Sequence, residues 1–270
     1  MNPQKPIGIF DSGIGGLTVL KAVKKRLPKE NILYFGDTAR VPYGIKSAET
    51  VTRFSLEIAE YLTGLGIKML VVACNTASSC ALGELRAKLD IPVVGVLMPG
   101  AYAAVRETVT GRVGVIGTEG TVASGAYARL INNIRPGSEV FAKACPLFVP
   151  LVEEGRLTGQ ITRLAAEEYL ASLKDKDVDT LVLGCTHYPL LKDVIGDVMG
   201  TGVTLIDSAC ETASEVERVL AKHGLLNTSD LPSTTRYMVT DAPQRFKEIG
   251  ERFLGYEIPV VDKAELACKL

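Results

Sequence analysis

The chain lacks an excess of charge of either sign. It carries 30 basic side chains against 31 acidic ones in 270 residues, with no basic stripe or charge block. Nucleic acid and anionic lipid surfaces are therefore poor candidates for its main partner. No apolar run reaches membrane-spanning length, and residues 1–6 lead straight into Ile7-Gly-Ile-Phe10 without a signal-peptide core. The expectation is a cytoplasmic chain with no membrane partner. Histidine is scarce, with only His187 and His223, and there is no C-x-x-C or paired-His spacing. Neither a structural zinc site nor any other metal is expected. The six cysteines, Cys74, Cys80, Cys145, Cys185, Cys210 and Cys268, are widely scattered and read as free thiols rather than a disulfide framework. Low-complexity segments and tandem repeats are missing as well.

What is present is enough apolar residue, 47% of the chain, to build one large or two modest domains. Strand-like and helix-like segments alternate from end to end, which argues a parallel sheet flanked by helices. Strands are expected at Ile7–Phe10, Asn31–Gly36, Met69–Ala73, Val93–Leu97, Arg112–Gly117, Val140–Ala144, Thr180–Gly184, Val203–Asp207, Arg236–Thr240 and Ile258–Asp262. Helices are expected at Ser47–Leu65, with Ser47 as N-cap, and at Thr158–Leu173. Ten strands are many for one sheet. The fold class expected is α/β, as two doubly wound parallel-sheet domains related by pseudo-twofold symmetry, with a ligand in the crevice between them. The Pro-Gly in Leu97-Met-Pro-Gly-Ala101 marks a crossing between domains. A return near Asp207–Cys210 gives a first domain of residues 1–97 and 207–270 and a second of residues 98–206. The first carries Asp11 and Cys74; the second carries Cys185 and His187.

Two segments read almost as copies, Leu70-Val-Val-Ala-Cys74-Asn-Thr-Ala and Leu181-Val-Leu-Gly-Cys185-Thr-His-Tyr. Each is an apolar strand ending in a cysteine before small polar residues and a helix-like stretch. Unpaired N–H groups at a helix start favour thiolate over thiol, so each cysteine is a candidate base or nucleophile. A lone cysteine after an apolar run is more often a small buried hydrophobe, but two in matching contexts favour chemistry. The other four cysteines lack that context and read as structural or incidental.

Further candidates gather at the carboxyl edges of the expected strands. Asp11-Ser-Gly-Ile-Gly-Gly16 ends the first, and Asp11 is either a proton acceptor beside a thiol or a helix cap. Its glycine spacing fits neither dinucleotide nor P-loop fingerprints. Tyr43 and Gly44 follow the second strand and offer a hydroxyl and a backbone donor. Gly117-Thr-Glu-Gly-Thr121 follows the fifth, where Thr118 and Thr121 either cap a helix or help to hold a carboxylate. His187 is placed to share a proton with Cys185. Glu153 and Glu154 follow an apolar stretch, and the sequence leaves open which of them turns inward.

The motifs Asp11-Ser-Gly-Ile-Gly-Gly-Leu-Thr18, Gly36-Asp-Thr, Pro42-Tyr-Gly44, Ala73-Cys-Asn-Thr-Ala77, Gly117-Thr-Glu-Gly-Thr121 and Gly184-Cys-Thr-His-Tyr-Pro189 resemble those of the cofactor-independent aspartate/glutamate racemase family. The resemblance covers essentially the whole chain. It implies racemisation of glutamate without a cofactor, supplying D-glutamate for peptidoglycan synthesis, with free glutamate as partner and a homodimer as an allowed assembly. It also implies that Cys74 and Cys185 are paired acid/base thiols tuned by Asp11, Glu153 and His187. Asp11 with Ser12, Tyr43 with Gly44, Asn75 with Thr76, and Thr186 with His187 would contact substrate. Aspartate-specific members resemble the chain less, because they tend to carry an acidic residue where His187 stands.

The chemistry suits two thiols, since inversion removes a proton from one face of a carbon and returns one to the other. A free thiol titrates near about 8.5, so only a modest local lowering is expected to be needed. Competing readings are a racemase of another acidic amino acid, a thiol hydrolase built on Cys185 and His187, a dithiol oxidoreductase, and a non-catalytic amino-acid binding module.

Overall fold

A computed structural model describes residues 2–266. Cys268, read above as incidental, lies outside the described residues. The ten strands are β1 Ile7–Asp11, β2 Ile32–Gly36, β3 Met69–Val72, β4 Val93–Gly95, β5 Arg112–Gly117, β6 Glu139–Ala144, β7 Thr180–Gly184, β8 Thr204–Ile206, β9 Thr235–Val239 and β10 Val261–Lys263. They form two wholly parallel sheets. One has six strands in the order β10-β9-β2-β1-β3-β4, the other four in the order β6-β5-β7-β8. The central strands are buried along their whole length, which is why their sequences are continuous apolar runs without polar alternation.

The helices are α1 Leu17–Arg26, α2 Ala48–Gly64, α3 Asn75–Lys88, α4 Leu97–Glu107, α5 Glu119–Ala123, α6 Ala126–Ile134, α7 Phe148–Glu153, α8 Gln160–Lys174, α9 Lys192–Met199, α10 Ser208–Lys222 and α11 Pro243–Leu254. The helix α2 begins as expected, with the Ser47 hydroxyl accepting from the Thr50 N–H. Expectation and structure part at several places, the first being the strand expected to run to Leu97, which ends at Gly95 because Leu97 opens α4. The stretch Leu97–Ala101 is not a turn, because Pro99 falls in the first turn of α4, where its missing N–H has no intrahelical partner to lose. The helix α8 starts two residues later than expected, after Gly159 at φ 96°. The last strand begins only at Val261. Ile258 is buried off the sheet, with its N–H held by the Glu251 carboxylate at 3.0 Å.

Both sheets place a topological switch at equivalent strands. In the larger one, β1 lies between β2 and β3; in the smaller, β5 lies between β6 and β7. Ligands of open α/β sheets collect beyond the carboxyl ends of such strands. Asp11 and Cys74 sit at those ends of β1 and β3, and Thr118 and Cys185 at those of β5 and β7. Among the described residues, no helix is long and apolar enough to cross a membrane.

Candidate active site

One cavity, about 490 Å³ when the solvent at its mouth is counted, is lined from both sheets by Ser12, Gly13, Tyr43, Gly44, Cys74, Asn75, Thr76, Thr118, Thr121, Glu153, Cys185, Thr186 and His187, with Val41, Pro42, Val149 and Gly184. Cys80, Cys145 and Cys210 are free thiols, as are Cys74 and Cys185, but they are not among its walls.

Cys74 is the N-cap of α3, with extended backbone at φ −67° and ψ 123°. Its side chain accepts no capping hydrogen bond, but the nearby Ser12 hydroxyl and Ala77 N–H favour the thiolate. The Ala77 N–H is a helix-start donor of the kind expected from the sequence and Ser12 belongs to the loop after β1, yet the two do not prevail. Burial is the larger effect, and with the nearby Asp11 carboxylate it pushes the Cys74 thiol up to about 12.

Cys185 stands in a different context from Cys74, contrary to the matched pattern of the two segments. An α-helix from its position would need an N–H at residue 189 to reach the Cys185 carbonyl, and that residue is Pro189. The Tyr188 N–H bonds the carbonyl instead, at 3.2 Å, and a 3₁₀ turn over Tyr188–Leu191 precedes α9. The companion of Cys185 is His187, whose Nδ1 lies 3.8 Å from Sγ. On its other side, His187 Nε2 meets Glu153 Oε1 at 3.2 Å. Burial disfavours the imidazolium, but hydrogen bonds to Cys185 and Glu153 outweigh it and raise His187 to about 10. The same bond to His187 lowers the Glu153 carboxyl against the opposing effect of burial. Glu154 points away and pairs at the surface with Arg245 at 3.5 Å.

The approach of the two halves is close enough to dictate residues. A Cβ on Gly15 would come within 2.2 Å of Thr186 Oγ1 and 2.5 Å of His187 Nδ1, so only glycine fits under the Cys185 loop. Thr18 adds a hydrogen bond from its hydroxyl to the Thr186 carbonyl at 3.2 Å. Opposite, the hydroxyls of Thr76, Thr118 and Thr121 form a triangle with sides of 2.9, 3.2 and 3.1 Å. Thr118 also caps α5, its hydroxyl accepting from the Thr121 N–H at 3.4 Å.

Two placements differ from the sequence reading. The Tyr43 hydroxyl is not turned to the cavity: it donates to Asp37 Oδ2 at 2.5 Å, while Arg40 and Thr240 hold the same carboxylate at 2.7 and 3.0 Å. Tyr43 therefore presents its ring. Asp11 is fully buried behind Ser12 and Gly13 rather than forming a wall. Its Oδ2 accepts from the Gly13 N–H at 2.9 Å and its Oδ1 has no partner. Burial raises its carboxyl, and the His187 charge works against that rise. Asn75, also buried, has Nδ2 without a partner at the cavity. The sequence reading missed Tyr127, whose hydroxyl donates to Asn75 Oδ1 at 2.8 Å. No spacing could have pointed to it, since it lies 52 residues from Asn75 in a helix without a motif.

A family model for Asp/Glu/Hydantoin racemase matches residues 15–216. A glutamate racemase of Geobacter metallireducens is 57% identical over 264 residues, which are 98% of each chain. Among solved structures, the chain is similar to a glutamate racemase of Francisella tularensis in complex with D-glutamate, at TM-score 0.92 and 39% identity over 98% of this chain and 99% of that one. It is likewise similar to a glutamate racemase of Thermus thermophilus in complex with β-chloro-D-alanine, at TM-score 0.90 and 49% identity over 98% of this chain and 99% of that one.

Proposed function

The chain belongs to the Asp/Glu/Hydantoin racemase family, and we propose from that premise that its cavity interconverts L- and D-glutamate by proton transfer between Cys74 and Cys185. The observation that carries the reading is that two thiols, each following the strand beside the switch strand of a different sheet, line one cavity. In one direction a thiolate removes the α-proton and the opposite thiol donates its own to the other face; the reverse reaction exchanges their roles.

The surroundings supply different means of holding each charge. At Cys185, the His187 imidazolium, steadied by Glu153, offsets a thiolate. At Cys74, the nearby Ser12 hydroxyl and the Ala77 N–H at the N-terminus of α3 favour the thiolate. The ammonium group of a bound amino acid brings positive charge to the two groups that burial holds up, Asp11 and Cys74. The amide donor of Asn75 and the hydroxyls of Thr76, Thr118, Thr121 and Thr186 are the groups available to the carboxylates. Because the α-proton is a weak acid, donors fixed in a water-poor cavity must stabilise the carbanion-like transition state. The reading is of a cytoplasmic enzyme acting on the free amino acid to supply D-glutamate for peptidoglycan, and it is compatible with a homodimer.

Circular dichroism of purified protein with L-glutamate and L-aspartate side by side tests it. The glutamate signal should decay to zero and the aspartate signal should persist; a constant glutamate signal refutes the proposal. In heavy water, the glutamate recovered should carry α-deuterium in both enantiomers, as read by proton NMR. Racemisation without deuterium uptake would exclude proton abstraction.

The link between Glu153 and His187 predicts a pH effect. Glu153→Gln removes a negative charge that helps to hold the His187 proton, so that proton is lost at lower pH. The alkaline limb of kcat/KM should therefore move to lower pH, and kcat should fall about tenfold, the equivalent of one charge-assisted hydrogen bond. An unmoved alkaline limb would separate His187 from Glu153.

A further inference from the structure

We infer that Tyr127 is a positioning residue, which turns the Asn75 amide so that its N–H groups face the substrate carboxylate. This rests on the cavity being the glutamate site proposed above, and it deepens that reading rather than replacing it.

An asparagine is ambiguous as a ligand group. Its amide offers an acceptor and a donor at almost the same radius, so the side chain can present either one to a ligand. At a carboxylate site the wrong choice is costly, because a carbonyl oxygen would face an anion across a water-poor cavity. Asn75 is only 3% exposed, so bulk water cannot correct the choice. Something in the protein has to make it.

The phenol of Tyr127 does so by direction. It reaches across from α6 in the unit of the smaller sheet to α3 in the unit of the larger one. Tyr127 is itself 3% exposed, and its hydroxyl lies 2.8 Å from Asn75 Oδ1. Ser208, at the start of α10, stands beside the phenol: a Cβ on Gly100 would come 3.2 Å from both Ser208 Cβ and the Tyr127 hydroxyl. The phenol has a single proton, and it goes to Asn75 Oδ1. A flipped amide would set its NH2 against that proton, and the contact would survive only if the phenol turned its proton away from Asn75. With Oδ1 occupied, Nδ2 is the atom left to the cavity, and it is the atom without a partner.

The ring is held as firmly as its hydroxyl. A Cβ on Gly184 would come 3.1 Å from Tyr127 Cε2, so the ring packs where the residue before Cys185 has no side chain. A Cβ on Gly100 would likewise meet the hydroxyl at 3.2 Å. One side chain thus touches the strand that delivers Cys185 and orients the residue beside Cys74.

Tyr127→Phe removes the hydroxyl and keeps the ring. KM for L- and D-glutamate should rise about tenfold, with kcat within about threefold of wild type. Because Tyr127 acts through Asn75, the double-mutant cycle decides: Tyr127→Phe should have no further effect on KM in an Asn75→Ala background. Multiplicative KM effects in the double variant, or an unchanged KM in Tyr127→Phe with a lowered Tm, would make Tyr127 merely structural and overturn the inference. A wild-type protein that neither racemises glutamate nor binds it in titration calorimetry refutes the proposed function, and this inference with it. A wild type that racemises glutamate but gives an additive cycle overturns only the role of Tyr127.

Discussion

Serine in place of Cys74 or Cys185 should lower the racemisation of glutamate on the order of 10²–10⁴-fold, the range spanned by loss of one positioned acid or base. The substitution changes little in volume, and both sites are buried on sheets that do not depend on the sulfur. The loss should therefore appear in kcat with little change in Tm. What serine removes is acidity, because a hydroxyl gives an anion far less readily than a thiol. The two variants should also differ in a way that a single-base enzyme could not reproduce. In heavy water each remaining thiol can still exchange the α-proton that faces it, so one variant should deuterate one enantiomer and the other variant its mirror image. Near-wild-type racemisation by either variant would end the two-thiol scheme. Exchange of the same enantiomer in both would place the thiols on one face.

The environments of the thiols explain why neither substitution should be the milder one. Cys74 is held up by burial and Asp11, which suits a proton donor. Cys185 has an imidazolium beside it, which suits a base. A substrate entering with the configuration that faces Cys185 finds the protons already distributed for reaction. The opposite enantiomer needs one proton moved first, and the two enantiomers have equal free energy in water. Both directions thus pass through the same pair.

Much of this was legible in the sequence because parallel strands buried on both faces have to be continuous apolar runs. That rule finds β1, β3, β5 and β7 to within a residue or so, and with them the cysteines at their ends. It fails where a short edge strand has little apolar content, as at β10. Repetition misled in one respect. The segments around Cys74 and Cys185 look alike for five residues, but Pro189 removes one N–H and replaces an α-helix start by a 3₁₀ turn. The sense of the Cys74 shift was also beyond reach, since helix-start donors are local in sequence whereas burial is set by everything packed around the sulfur. Tyr43 was found but its hydroxyl misassigned, because Asp37 binds it through a loop fold that composition does not encode. We propose that residues 1–97 with 207–270 form one folding unit and 98–206 the other; the strands of the two sheets are drawn from those segments.

The largest loss of stability is expected far from the chemistry, in Lys68→Met. Lys68 is wholly buried, and its ammonium uses all three protons: on Glu30 Oε2 at 2.5 Å, the Pro3 carbonyl at 2.5 Å and the Leu225 carbonyl at 2.8 Å. It therefore ties together the segment before β1, the turn before β2 and the chain leaving α10. Methionine matches the apolar stem but leaves a carboxylate that is 3% exposed with only the Asn227 N–H at 2.8 Å, and two carbonyls with nothing. Breaking such a pair from one side costs about 3–5 kcal/mol, because the remaining charge stays buried. For a chain of this size Tm should fall on the order of 10 °C. Adding Glu30→Gln should recover part of the loss, since a neutral amide is cheaper to strand than an anion. Lys68 stands just before β3 and Cys74 just after it, about 20 Å apart along an extended chain. KM and the kcat of the folded fraction should therefore match wild type well below Tm. A Tm within about 2 °C of wild type would show that the buried pair contributes no net stability, and a raised KM would show that its effect travels along β3 into the site.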